Sequence, residues 1–227
     1  MQREVENAMQ TRLIKGLAEV RKDWLKVYLI TDLRQFPPDK HLTVVESALK
    51  GGVRDIQLRE KDMPLDDLLS LAIVLRQMTE RYGARLYIND RLDVALMVDA
   101  DGVHLPETGL PPNEVKARYP HLLVGVSTHS KDGAQRAQAD EADFITFGPV
   151  FDTPSKRKYG PPQGLGQLAE VVSMARIPVL ALGGIKLDNI PSAMETGAWG
   201  VGLISGVWNS SNIEEESYKY MQCLGGD

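Results

Sequence analysis

A repeat of short apolar, β-branched runs, each followed by a longer stretch of helical period, constrains this chain more than any other feature. Eight such runs occur: Val27–Thr31, Val53–Leu58, Arg85–Asn89, Gly102–Leu105, Leu122–Ser127, Phe144–Phe147, Pro178–Leu182 and Gly200–Ile204. Runs apolar on both faces belong to strands covered on both sides, and their alternation with helices implies a parallel sheet. The intervening helical stretches include Leu65–Arg81, Arg91–Val98, Pro112–Tyr119, Lys131–Ala139, Gly166–Ala175, Ile190–Thr196 and Ser210–Leu224. Eight βα units in roughly 200 residues predict a closed (β/α)8 TIM barrel. An open doubly wound sheet would place a glycine-rich turn after its first strand, and Thr31-Asp32-Leu33-Arg34-Gln35 contains no glycine.

Ahead of the barrel, Val5, Met9, Leu13, Leu17 and Val20 recur at spacings of three or four, which predicts a leading amphipathic helix. The expected organisation is an N-terminal helix over residues 1–25 and a single barrel domain over 26–227, with no linker between domains. The stretch from Val150 to Gly166 carries Pro154, Pro161 and Pro162 and reads as a lid-like βα loop.

Charge and composition narrow the function. With 26 Lys+Arg against 31 Asp+Glu the net charge is −5, which argues against a nucleic-acid partner. No apolar run of about 18 residues is present, so no membrane partner is expected. One cysteine, Cys223, excludes an intramolecular disulfide, and charges at Glu4, Glu6, Arg12 and Lys15 interrupt any secretory apolar segment, so a cytoplasmic location is expected.

Barrels of this kind place their chemistry at the C-terminal ends of the strands. Strand alternation sends Gln57 and Arg59 into the barrel mouth, with Lys61 just beyond. Asn89 and Asp90 pair an amide with a carboxylate, a hard oxygen donor suited to Mg²⁺, although both residue types also cap helices. His104 stands at the fourth strand, as substrate-side residue or as core histidine. His129 and Ser130 follow the fifth strand, where His129 is a candidate acid or base. His41 and His121 read as surface residues. Thr153, Ser155 and Lys156 follow the sixth strand, and Lys156-Arg157-Lys158 is either a ligand clamp or solvated loop charge. Gly184 and Ser205, after strands seven and eight, suit a phosphate held by backbone N–H groups. Two anionic sites on one face suggest transfer between phosphorylated partners.

The motifs Gln57-Leu58-Arg59-Glu60-Lys61, Asn89-Asp90-Arg91, Asp101-Gly102-Val103-His104-Leu105, Gly125-Val126-Ser127-Thr128-His129-Ser130, Gly148-Pro149-Val150-Phe151, Thr153-Pro154-Ser155-Lys156 and Gly183-Gly184-Ile185 resemble, in order, those of thiamine phosphate synthases. The resemblance covers about Val27 to Trp208. It implies a transferase that joins hydroxymethylpyrimidine diphosphate to thiazole phosphate and releases diphosphate with Mg²⁺. It further implies that Gln57 binds the pyrimidine and that Arg59, Lys61, Asn89, Ser130 and Lys156 hold the diphosphate. Asp90 would bind the metal, while Thr153 and Ser155, with the backbone of Gly184, Ile204 and Ser205, would hold the thiazole phosphate. His104 counts with the substrate-binding set. Homo-oligomers are compatible with such barrels.

One departure stands out. Where the synthases continue Gly-Gln-Glu-Asp after His-Leu, this chain has Pro106-Glu107-Thr108-Gly109, so Gly109 replaces a second metal-binding carboxylate. Glu107, on the same loop, is the candidate substitute. Pro106 is closer to the thiazole tautomerases of the same superfamily, which isomerise a thiazole phosphate carboxylate, whereas Lys61 and Pro149 are not. A tautomerase using His104 or His129, or a non-catalytic barrel binding thiazole or thiamine phosphate, are the alternatives to the synthase.

Overall fold

The computed structural model describes residues 24–33 and 40–225, apart from the side chains of Ser155, Lys158 and Tyr159. The helix expected over residues 1–25 lies outside these, except that Trp24 and Leu25 form a turn. Strands β1 (Val27–Ile30), β2 (Asp55–Leu58), β3 (Arg85–Asn89), β4 (Gly102–Leu105), β5 (Leu123–Thr128), β6 (Phe144–Phe147), β7 (Val179–Leu182) and β8 (Gly200–Leu203) form a closed barrel in sequence order. Every adjacent pair is parallel, including the closing pair β1 and β8. Around it run α1 (His41–Lys50), α2 (Leu65–Arg81), α3 (Leu92–Met97), α4 (Pro112–Arg118), α5 (Lys131–Ala139), α6 (Gly164–Met174), α7 (Ile190–Glu195), α8 (Ser205–Trp208) and α9 (Ile213–Cys223). A 3₁₀ turn, Pro154–Tyr159, occupies the long loop after β6.

Strand alternation divides the core in two. Val27, Leu29, Ile56, Leu58, Leu86 and Ile88 point outward into the layer between strands and helices. Tyr28, Ile30, Tyr87, Phe144 and Leu180 point inward and fill the barrel with Trp24 and Leu25. Tyr28, Tyr87 and Phe144 meet edge to face, with ring centroids 5.2 to 5.5 Å apart. This arrangement suits the ring quadrupoles and fills the interior with few side chains.

Glycines on neighbouring strands make the room. Tyr87 pairs with Gly102, Phe144 with Gly125 and Leu182 with Gly202. A Cβ at Gly102 would come 2.5 Å from the Tyr87 ring, and one at Gly125 would strike the Phe144 ring and lie 2.7 Å from His104 Nδ1. Each bulky inward residue therefore lies beside a position that carries none.

The barrel floor is polar and saturated. Buried Asp55 accepts from Arg85 Nε at 2.6 Å and Nη2 at 3.1 Å, from Leu25 N at 2.8 Å and from Tyr87 OH at 3.1 Å. Trp24 Nε1 donates to the same tyrosine oxygen at 3.1 Å. A carboxylate taken out of water is tolerated because its oxygens are occupied by donors, two of them cationic.

His41, expected at the surface, is buried with its ring 5.3 Å from Trp208. It belongs to the stripe His41, Val44, Val45, Ala48 and Leu49 by which α1 packs inward. Polar neighbours in sequence hid that spacing.

His104 sits within the barrel, Nδ1 3.2 Å from Tyr28 OH and Nε2 3.0 Å from Ser127 Oγ. Burial, reinforced by the charge of Arg59, depresses its pKa to about 3. The ring is neutral in the folded protein at physiological pH.

Two outcomes are expected. Gly125→Ala should cost about 1–3 kcal/mol by overpacking against Phe144 and His104, measurable by urea denaturation. Because the folded-state pKa of His104 lies below its ordinary 6.5, its contribution is complete above that pH and declines as pH falls toward about 3. His104→Gln should flatten the acid side of the stability profile, read as the denaturation midpoint against pH.

Candidate active site

The strand ends converge on one rim of the barrel. Gln57 is buried and donates from Nε2 to Tyr28 OH at 3.1 Å, so it forms the boundary between the aromatic interior and the mouth. Arg59, two residues on and half-buried, is close enough for its charge to act on His104, and Lys61 is exposed beyond it. The inward direction expected for Gln57 and Arg59 agrees with this placement.

At the end of β3, Asn89 is half-buried and Asp90 is exposed. Asp90 takes a left-handed backbone conformation, φ 63°, and its N–H donates to His104 O at 2.9 Å. Non-glycine residues adopt this conformation uncommonly, with Asn and Asp among the most tolerant. The N-cap of α3 is Arg91 and no side chain caps that helix, so Asn89 and Asp90 do not serve as its caps. The turn holds the Asp90 carboxylate toward solvent at the rim.

After β5, Ser130 caps α5, its Oγ accepting from Gly133 N at 3.0 Å. Glu107 reaches across from the loop after β4: Oε2 lies 2.8 Å from His129 Nδ1, and Oε1 3.4 Å from Ser130 Oγ and 3.7 Å from Arg136 Nη2. A Cβ on Gly133 would collide with that carboxylate, so Glu107 lies directly on the first turn of α5. An anionic group there is favoured by the helix dipole. Glu107, the candidate substitute ligand, thus lies against His129 and the start of α5.

The loop after β6 forms a cleft of about 330 Å³ lined by Pro149, Asp152, Thr153, Lys156, Arg157, Gly160, Pro161 and Pro162. Thr153 Oγ1 donates to Phe151 O at 3.0 Å, and Lys156 is half-buried on the 3₁₀ turn. Ser155 stands on the same turn, its side chain outside the described ones. Arg157 pairs with Asp152 within the loop, so that cation serves the loop itself. Gly183 (φ 95°) and Gly184 (φ 66°) follow β7 in the left-handed region. Side chains there would come 2.6 Å from Pro149 Cβ and 2.7 Å from Phe151 Cβ, so conformation and space both demand glycine. Ile204 is half-buried and Ser205 exposed where β8 passes into α8.

Residue-type patterns did not single out Thr31 and Glu60. Glu60, between Arg59 and Lys61 in sequence, is buried, with Oε1 2.5 Å from Thr31 Oγ1 and Oε2 2.9 Å from Leu33 N. Thr31 Oγ1 in turn accepts the Arg59 N–H at 2.9 Å. Burial pushes the Glu60 carboxyl above its ordinary value, opposed by the Thr31 and Leu33 hydrogen bonds. The alternation that aims Arg59 inward turns Glu60 toward the end of β1, which is the signal the sequence held.

Among the described residues, no group of three or more His, Cys, Asp or Glu side chains is gathered as a metal cage. No helix among them is long and apolar enough to cross a membrane.

Comparison with known proteins agrees with the geometry. A protein of Geobacter sulfurreducens provisionally named a thiamine-phosphate synthase is 54% identical over 182 residues, covering 80% of this chain and 85% of its own. The thiamine-phosphate synthase of a Roseiflexus species, strain RS-1, is 43% identical over 210 residues, 89% of each chain. Among solved structures, thiamine phosphate pyrophosphorylase from Pyrococcus furiosus superposes with a TM-score of 0.82 at 35% identity, covering 91% of this chain and 98% of that one. The pattern that defines thiamine monophosphate synthases matches residues 27–207, from the first residue of β1 into α8, and the chain belongs to that family.

Proposed function

We propose that the chain is a thiamine phosphate synthase, a transferase that joins hydroxymethylpyrimidine diphosphate to thiazole phosphate in thiamine biosynthesis. The observation that carries this reading is the position of Arg59 and Lys61 after β2, Asp90 after β3 and Lys156 after β6, all at the C-terminal rim of one closed barrel. In the reaction a thiazole nitrogen attacks the methylene carbon of the pyrimidine. A C–N bond forms, the C–O bond to diphosphate breaks, and the electron pair leaves with the diphosphate. The nitrogen is already nucleophilic, so holding the two heterocycles together and neutralising the leaving group supply most of the rate.

In this reading Gln57, fixed by Tyr28, orients the pyrimidine at the bottom of the mouth. Arg59, Lys61, Lys156 and the Asn89 amide receive the diphosphate, with Ser130 at its edge. Thr153 and Ser155, with backbone from Gly184, Ile204 and Ser205, receive the thiazole phosphate. His104 contributes a neutral wall to the substrate pocket. His129, paired with Glu107, has an electrostatic role instead of acting as a base.

Mg²⁺ fits the donor set if it arrives with the diphosphate. Asp90 is an exposed carboxylate beside the Asn89 amide, and Mg²⁺ needs only one or two protein carboxylates when phosphate oxygens and waters complete its shell. Asp90 would hold the ion, which when bound adds positive charge against the departing oxygen. Both imidazoles a tautomerase would need are engaged, His104 with Tyr28 and Ser127 and His129 with Glu107, which favours the synthase. A cytoplasmic location goes with this reading, given phosphorylated intermediates and a single cysteine.

Purified protein supplied with both substrates and Mg²⁺ should form thiamine phosphate and diphosphate in equal amounts. Absence of thiamine phosphate, with or without the metal, would reject the assignment; conversion of a thiazole phosphate carboxylate alone would establish the tautomerase instead. Asp90→Ala should lower turnover on the order of a hundredfold while leaving the KM for thiazole phosphate nearly unchanged. A rise in that KM without loss of turnover would remove Asp90 from the diphosphate side.

A further inference from the structure

The buried carboxylate of Glu60 lies between Arg59 and Lys61 in sequence, yet it is bonded to the residues that follow β1. We infer that Glu60, acting with Thr31, is a positioning residue that sets the backbone carrying Arg59 and Lys61 for diphosphate recognition. The inference rests on the reading that those two cations hold the diphosphate.

The hydrogen bonds define a directed chain. Arg59 N–H donates to Thr31 Oγ1 at 2.9 Å, and Thr31 O–H donates to Glu60 Oε1 at 2.5 Å. Leu33 N–H donates to Glu60 Oε2 at 2.9 Å, and Thr31 N–H donates to Gln57 O at 2.9 Å. The two strand ends are therefore cross-linked at four points, three of them through the Thr31 and Glu60 side chains. A threonine hydroxyl has one proton, which goes to Glu60, leaving its lone pairs for Arg59 N–H.

The chemistry requires a carboxylate. Both Glu60 oxygens face donors, and only an ionised carboxyl supplies two acceptors with no proton of its own. Glutamine fills the same space but presents an NH₂ to either Thr31 O–H or Leu33 N–H. One donor is then left facing another in a site with little access to water, which is costly. Aspartate is shorter by one methylene and cannot reach both partners from the same backbone. An arginine and a lysine flank this group in sequence, and its two oxygens are held by the neutral donors Thr31 O–H and Leu33 N–H, so its carboxylate ties the loop to the end of β1.

The test uses the full chain and inorganic diphosphate with Mg²⁺ as the probe, by calorimetry, beside steady-state kinetics with both substrates. Glu60→Gln and Thr31→Val should each weaken diphosphate binding about tenfold, the order expected for a lost buried hydrogen bond. Each should raise the KM for the pyrimidine diphosphate and leave that for thiazole phosphate unchanged. Thr31→Ser, which keeps the hydroxyl, should restore binding. The double variant should be little worse than either single one, because both break the same chain. Unchanged diphosphate affinity in Thr31→Val, equal losses for both substrates, or additive effects in the double variant would overturn the inference. If Glu60→Gln does not fold, the Thr31→Val and Thr31→Ser pair decides the matter alone. Failure of the wild-type chain to form thiamine phosphate would strike the assigned reaction, whereas normal turnover with unaffected variants would strike only the role of Glu60.

Discussion

A barrel of eight strands encloses a volume that only its own inward side chains can fill, and three edge-to-face rings meet that demand here. Tyr28, Tyr87 and Phe144 come from strands β1, β3 and β6, and each large ring needs a neighbouring strand with nothing in the way. Gly102 and Gly125 answer that need. The sizes of residues far apart in sequence are thus coupled, as expected of interiors packed to crystal-like density. Below the rings, Asp55 and Arg85 close the floor; above them, Gln57 and His104 begin the polar mouth.

The same filling decides the chemistry of the rim. Because rings and aliphatic chains seal the interior, the polar groups just above them have little water and must find partners in the protein. Gln57 takes Tyr28 OH, His104 takes Tyr28 and Ser127, and Glu60 takes Thr31 and Leu33. His104 responds by staying neutral. A neutral imidazole beneath Arg59 adds no competing positive charge to a mouth that already carries several cations, so the guanidinium can be directed at a ligand without repulsion from below.

The barrel was legible in the sequence because both periodicities were strong: inward and outward residues alternate cleanly along β2, and α2 and α5 begin and end where their apolar spacing does. Gln57, Arg59 and Asp90 could be assigned to the rim on position alone, since a parallel barrel puts every strand end on one face. What could not be read was which neighbour each polar group finds. His41 lies on an apolar stripe but looks polar in its local context, and its partner Trp208 is far along the chain. Glu60 stands in a charged motif, and its value depends on Thr31 from another strand. The fate of Glu107 likewise turns on Gly133, whose missing side chain leaves space for a carboxylate. Contacts across the barrel are set by closure, which no local pattern encodes.

Closure also bears on the exchange of an acid for Gly109. In a site that handles diphosphate, a carboxylate is useful only through a metal; without one it repels the ligand. Here Asp90 is exposed on a turn with a left-handed backbone, whereas Glu107 lies against His129 and the start of α5. The helix dipole and the Arg136 guanidinium both favour Glu107 where it lies. Its charge is therefore balanced locally, and the cations after β2 and β6 need not offset it. On the proposed reading, the exchange of that acid for Gly109 places more of the neutralisation of a leaving diphosphate on arginine and lysine, and the accuracy with which their backbone is held would then matter more than in a site with two metal-binding acids.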